Sequence, residues 1–337
     1  MVNPVAARAG SCCDAIVSEL PSGWSTRRPT LDDVPAILAV LQASDTAALG
    51  HPDSSADDVR EALTGPHMDP RRDAWLALDP AGAVVGCAYL ENPSAGQRDF
   101  VEVYVYPGRG LPAQRPLLAL ALARVGERAA EFGHPVMTVR AGAIPNETDW
   151  VASLRAAGFA FVKRFARMRR SLDGVSPTPP VPPDGVTVRP VRPDDDADLR
   201  RFHQILETAF ADSLDHEPIG YDHWRARLAT LPSIAWDEWF VAEVDGEPVG
   251  ALQSSDQCLD QNEGWVKMLA VLRGHRKRGV GAALLRRAFA EYAAKGRGLA
   301  GLGVDLTNPT EAVRLYESVG LTASYEADMY EREVPAA

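Results

Sequence analysis

Cysteine is scarce: four of 337 residues, at Cys12, Cys13, Cys87 and Cys258. Adjacent cysteines rarely bridge to each other, and no CxxC spacing occurs. The pattern therefore excludes a disulfide framework and a cysteine-based zinc site. The seven histidines form no metal-ligand spacing, so no metal is expected. No run of eighteen apolar residues exists, which excludes a membrane-spanning helix. Positive charge is also in deficit, with 35 Lys and Arg against 46 Asp and Glu and a net charge of −11. General nucleic-acid binding needs a basic face and is not expected. The first twenty residues lack a basic stretch followed by an apolar one, so residues 1–23 read as a loose tail. Together these absences predict a cytoplasmic protein that engages neither membrane nor nucleic acid, as a monomer or homodimer.

What is present is an ordinary globular composition, 46% apolar and 24% charged, in a chain too long for one core. Residues 174–185, GVSPTPPVPPDG, hold five prolines in twelve positions. Such a segment excludes a helix or central strand and reads as a stiff linker. It divides the chain into halves at 24–173 and 186–337. The halves open alike, Thr26-Arg27-Arg28-Pro29 and Thr187-Val188-Arg189-Pro190, and each runs through Asp residues into an amphipathic helix. Both then carry a hairpin with a Gly-containing turn, at Ala74–Tyr89 and Trp239–Leu252. Ala157-Gly158-Phe159 is echoed by Val319-Gly320-Leu321. Arg28 and Arg189 lie 161 residues apart, Gly158 and Gly320 162, and this near-constant offset indicates duplication. Each half is expected to be an α/β domain: strand, helices, three strands, helix, strand, helix, strand.

One turn in the second half concentrates chemistry. A strand at 264–271 leads into Leu272-Arg273-Gly274-His275-Arg276-Lys277-Arg278-Gly279-Val280-Gly281-Ala282, and a helix follows from Ala283. Glycines between a strand and a helix N-terminus let backbone N–H groups approach an anion closely. The surrounding arginines and lysine point to a pyrophosphate. A P-loop would need GxxxxGK[ST], which is absent, and a dinucleotide fingerprint would need a third glycine where Leu284 stands. What fits is R-x-x-G-x-G at Arg276, Gly279 and Gly281. Farther on, residues 302–321 place Asn308, Ala312, Leu315, Tyr316, Gly320 and Leu321 in the pattern N…A-x-x-L-Y-x-x-x-G-L.

These two motifs in order resemble the GCN5-related N-acetyltransferase (GNAT) superfamily. The resemblance covers about 150 residues of the second half well and the first half weakly. It implies two tandem GNAT-like domains, each a mostly antiparallel mixed sheet flanked by helices, with acetyl-CoA as acyl donor. By the same resemblance, Leu269, Ala270 and Val271 would pair with the pantetheine arm. Arg276, Lys277, Arg278, Gly279, Val280, Gly281 and Ala282 would hold the pyrophosphate, and Asn308 would touch the arm. Tyr316 would protonate the departing thiolate. Glu263, at the start of the same strand, is the first candidate for general base, with Asp256 and Asp260 behind it.

The first half departs from this pattern. After the strand Phe100–Tyr106 comes Pro107-Gly108-Arg109-Gly110-Leu111-Pro112-Ala113-Gln114-Arg115-Pro116, without R-x-x-G-x-G and with prolines that lack N–H groups. Leu154 falls where Tyr316 falls in the second half, while Asn146 matches Asn308. The first half is therefore expected to be catalytically degenerate.

The expected acceptor is a small-molecule primary amine. Asp212, Asp215, His216, Glu217 and Asp222 would favour a cationic one, and Tyr325–Tyr330 belongs to the same expected region. The duplicated layout loosely resembles mycothiol synthase and related actinobacterial tandem acetyltransferases, without fixing the acceptor. Two other readings stay open: a non-catalytic acetyl-CoA sensor, and the same fold using a longer acyl-CoA or another activated acyl donor.

Overall fold

The computed structural model describes residues 19–92, 95–211, 218–229, 234–256, 258–307 and 312–337. The tail up to residue 18 and the paired cysteines in it lie outside these. The chain forms two units, one of Met1–Lys163 with Ala327–Ala337 and one of Arg164–Glu326.

Unit 1 begins with β1 (Ser25–Arg27), α1 (Val34–Leu49), α2 (Ala56–Thr64) and the single turn α3 (Pro70–Asp73). Next come β2 (Ala74–Leu78), β3 (Val84–Glu91), β4 (Arg98–Val105), α4 (Leu111–Glu131), β5 (Val136–Ala143) and α5 (Thr148–Ala156). The strand β6 (Ala160–Ser171) starts in unit 1 and carries the chain into unit 2. Unit 2 holds β7 (Val186–Pro190), α6 (Asp196–Phe210), α7 (Tyr221–Ala229), β8 (Phe240–Val244), β9 (Glu247–Ser255) and β10 (Glu263–Val271). It continues through α8 (Val280–Ala294), β11 (Leu299–Asp305) and α9 (Ala312–Ser318) to β12 (Thr322–Pro335), whose last residues return to unit 1.

In unit 2 an aspartate starts the first helix as its position predicts. Asp195 accepts from the N–H groups of Ala197 and Asp198 at the head of α6, a cap of a kind worth about 1 kcal/mol. In unit 1 the capping pair is Thr30 with Asp33, one turn ahead of α1.

Each unit carries the same mixed sheet. In unit 1 the order is β1-β2-β3-β4-β5-β12, antiparallel except for the parallel pair β4/β5. In unit 2 it is β7-β8-β9-β10-β11-β6, antiparallel except for β10/β11. One apolar core lies under α4 in unit 1 and another under α1 and α2 on the opposite face. In unit 2 the cores lie under α8 and under α6 with α7.

The halves of the sequence and the units do not coincide. Each half was expected to supply its own last strand. Instead, residues 165–171 of the first half pair with β11 in unit 2, and residues 328–335 of the second half pair with β5 in unit 1. The proline-rich segment 174–185 thus belongs to unit 2. Periodicity identifies a strand by its own residues but carries no information about which of two equivalent edges it joins.

Candidate functional site

The sheet of unit 2 opens where the motif residues sit. The β10/β11 ladder runs from Glu263–Leu299 to Val266–Leu302 and ends there, while β10 stays paired with β9 as far as Val271–Gly250. Residues 268–271 therefore present an edge that β11 does not cover. Leu269, Ala270 and Val271 lie on it. The β9/β10 register shifts between Val266 and Met268, so Lys267 is an extra residue in the strand. Such a bulge increases local twist and turns backbone groups away from the ladder. Nothing in the sequence marks it.

The strand ends at the glycine loop. Gly279 has φ +80° and caps α8, which starts at Val280, three residues ahead of the expected Ala283. Ala283 N–H is the first to find a helical acceptor, Gly279 C=O at 2.9 Å. The N–H groups of Val280, Gly281 and Ala282 have none inside the helix and carry its positive dipole end. Lys277, Arg278 and Gly279 are exposed around this turn. A Cβ on Gly281 would lie 2.8 Å from Leu315 Cδ2, so glycine here lets α9 pack on the first turn of α8.

Arg276 has a structural role that its motif position does not announce. Its Nε donates to Val271 C=O at 3.0 Å and its Nη2 to Ala209 C=O at 3.4 Å. Through these two bonds the guanidinium ties the strand end and α6 to the loop.

Tyr316 lies on α9, next to the Leu315 that touches Gly281. Among the described residues its hydroxyl has no hydrogen-bond partner, and burial pushes its pKa up to about 12. The phenol is thus protonated at neutral pH and free to donate. Asn308 lies outside the described residues.

Glu263 is corrected as a candidate base. It is fully buried, and its Oε2 is 2.8 Å from both Arg167 Nη2 and Arg169 Nη2, with Arg169 Nε a further donor. Both of its oxygens are thus occupied by arginine donors. Its Cα partner is Leu299, at the closed end of the split. A Cβ on Gly301 would collide with Glu263 Oε1, so that glycine serves the ion pair. Both arginines come from β6, which sequence reasoning assigned to the other domain.

The expected acceptor residues divide. Asp212, Asp215, His216 and Glu217 lie outside the described residues. Asp222 is almost fully exposed on α7, 3.8 Å from Arg200. Tyr330 does not belong to this site, because it is buried in the core of unit 1.

Unit 1 has the same frame without these parts. Gly86 and Gly250 are equivalent, each with helix side chains within about 3.1 Å of a built Cβ: Leu117 for the first, Val280 and Leu284 for the second. From them the β3/β4 ladder runs Gly86–Val105 to Glu91–Phe100 with no register shift, so β4 lacks the bulge. The β4/β5 ladder also stops early, at Phe100–Arg140, and the split is retained. Gly110 has φ −89° at the head of α4, with Pro112 in its first turn. Leu154 stands where Tyr316 stands: Phe159 N–H donates to Leu154 C=O as Leu321 N–H does to Tyr316 C=O, both at 3.0 Å.

Known proteins agree with this geometry. The acetyltransferase (GNAT) domain family matches residues 235–321. The mycothiol acetyltransferase of Streptomyces griseus is 29% identical over 302 residues, covering 88% of this chain and 91% of that protein. That of Thermobispora bispora is 30% identical over 325 residues, covering 90% and 98%. A GCN5-related N-acetyltransferase from Sphaerobacter thermophilus superposes with a TM-score of 0.81 at 25% identity, covering 94% and 98%. A tandem GNAT protein from the clavulanic acid biosynthesis pathway shares the fold at 18% identity, with a TM-score of 0.65 over 93% and 99% of the two chains. Matched along nearly its whole length by such relatives, this chain belongs to the GNAT superfamily of N-acetyltransferases, in its tandem form.

Proposed function

We propose that unit 2 transfers an acetyl group from acetyl-CoA directly to the primary amine of a small, cationic molecule within a ternary complex. The observation that carries this reading is the split between β10 and β11, which leads into the Gly279 turn, with the helix that bears Tyr316 packed on that turn through Leu315. The N–H groups of Val280, Gly281 and Ala282 hold the pyrophosphate, with Lys277 and Arg278 adding charge. The uncovered edge of Leu269, Ala270 and Val271 pairs with the pantetheine arm, where Asn308 also makes contact. Backbone N–H groups at this edge stabilise the oxyanion that develops on the thioester carbonyl. The amine must arrive neutral to attack. As the C–S bond breaks, Tyr316 gives its proton to the sulfur, and the proton that the nitrogen sheds as the amide forms returns to the phenolate.

The relatives' name makes the amine of deacetylated mycothiol the first acceptor to test. Dependence on acetyl-CoA fits a cytoplasmic setting.

Titration of acetyl-CoA into the whole protein tests the reading. One site is expected, weakened at least 100-fold by Gly281→Glu, which puts bulk and negative charge at the helix N-terminus. Undiminished binding in that variant would move the pyrophosphate elsewhere. Two sites in the wild type would mean that unit 1 also holds the donor.

A further inference from the structure

The donor loop is strained. Lys277 has φ +61° and Gly279 φ +80°. A non-glycine residue in the left-handed region is disfavoured because its Cβ crowds the following carbonyl oxygen. Such conformations persist where neighbouring structure holds them.

One neighbour is the proline-rich segment. At its start, Leu172 N–H donates to Gly298 C=O at 2.9 Å, just beyond the C-terminus of α8, and Val175 packs on the core beneath that helix. At its end, Val186 N–H donates to Pro183 C=O at 3.0 Å, and Asp245 N–H to Gly185 C=O at 3.1 Å. Between these ties the segment passes from the C-terminal side of α8 to its N-terminal side. There the Pro183 ring lies against Gly279: a Cβ built on the glycine would come within 2.9 Å of Pro183 Cγ. Gly279 is thus constrained twice, by its positive φ and by the proline above it. A proline ring suits such a contact, because its φ is fixed and it has no long side chain to order.

We propose that Pro183 is a positioning residue for the acyl donor. Its ring wedges the Gly279 turn, so that the N–H groups of Val280, Gly281 and Ala282 stay aimed at the CoA pyrophosphate. The segment between the sequence halves is then a working part of the donor site as well as a connection. This rests on the assignment of that loop to acetyl-CoA.

Pro183→Gly removes the ring and loosens the chain at the same point. It is expected to weaken acetyl-CoA binding and raise the donor KM about tenfold. The kcat at saturating donor and the KM for the amine should stay as in the wild type. Pro179→Gly loosens the same segment away from the loop and should bind acetyl-CoA normally. Pro183→Ala, which keeps a Cβ and part of the stiffness, should fall between Pro183→Gly and the wild type, and serves as the test if the glycine variant folds poorly. Wild-type affinity in folded Pro183→Gly or Pro183→Ala would overturn the inference and leave the donor site standing. Equal losses in Pro179→Gly and Pro183→Gly would also overturn it, because linker flexibility alone would then explain the effect. If the wild type itself bound no acetyl-CoA, the donor assignment would fall, and the inference with it.

Discussion

Units 1 and 2 share a frame and differ in how that frame is finished. Among the described residues both have six strands in the same order, and in both the parallel ladder stops short to open a cleft. Unit 2 adds a bulge at Lys267, a left-handed glycine at the helix N-terminus and a half-buried tyrosine. Unit 1 has an unbroken ladder, an ordinary backbone at Gly110 and the fully buried Leu154. The common frame therefore comes from packing and pairing, which tolerate many sequences. The differences fall at single backbone positions and one hydroxyl, which packing does not require.

The largest effect to be expected tests how the units share strands. A chain of residues 186–337 looks like a complete second half, yet it lacks β6. Removing β6 bares the edge of β11 and leaves Glu263 buried without Arg167 and Arg169. Unpairing a buried carboxylate costs about 3–5 kcal/mol, a large part of the stability of a typical domain. This fragment should aggregate or melt without cooperativity, whereas residues 160–326 should fold. Circular dichroism melts of the two compare them directly. A cooperative melt from 186–337 would show that the exchanged strand is dispensable.

Tyr316→Phe comes next, since it removes the hydroxyl that unit 1 lacks. Turnover should fall at least tenfold, within the usual range for a general acid, with acetyl-CoA affinity nearly unchanged. The pH profile sharpens the point. Only the protonated phenol can donate, and burial raises its pKa to about 12. Wild-type kcat should therefore show no falling limb up to pH 10, and the variant should lower the plateau without moving the rising limb. Equal plateaus would remove Tyr316 from the chemistry.

The frame was legible because it is written in periodic and repeated features. The hairpins, the Gly158 and Gly320 echoes and the R-x-x-G-x-G turn each recur or sit in a distinctive order. The rest depended on partners distant in sequence. Glu263 reads as a strand-end carboxylate until β6 brings two arginines to it, 94 and 96 residues away. That Arg276 also ties Val271 and Ala209 to the loop is likewise invisible in sequence. The bulge at Lys267 depends on how two strands register, and no local residue preference requires it. Gly301 has no visible purpose in sequence, and only the Glu263 side chain above it explains the missing Cβ.

The smallest effect concerns a carboxylate that unit 2 does not have. Counting from Gly86 and Gly250, Glu102 stands where β10 has Met268, opposite Tyr89 in one unit and Gln253 in the other. Glu102 Oε2 accepts from Tyr104 Oη at 3.0 Å, and nearby Glu91 has its own pKa raised by burial and by Glu61. Glu61 and Glu91 line a cavity of about 330 Å³ between α2 and β3. Burial, reinforced by Glu91, pushes Glu102 up to about 8. A carboxyl whose folded pKa is raised favours the fold while protonated. That contribution is complete below the unfolded value near 4.3 and is lost as pH rises through about 8. Glu102→Gln imitates the protonated form at every pH. It should match the wild type at pH 3.5 and stabilise the unit 1 transition by about 1–2 kcal/mol at pH 8.5, less than the full shift implies because water reaches the group. Thermal melts at the two pH values read the difference. A gain that does not grow with pH would mean that Glu102 is already ionised in the fold, and that this face of unit 1 tolerates its charge as readily as the matching face of unit 2 accommodates Met268.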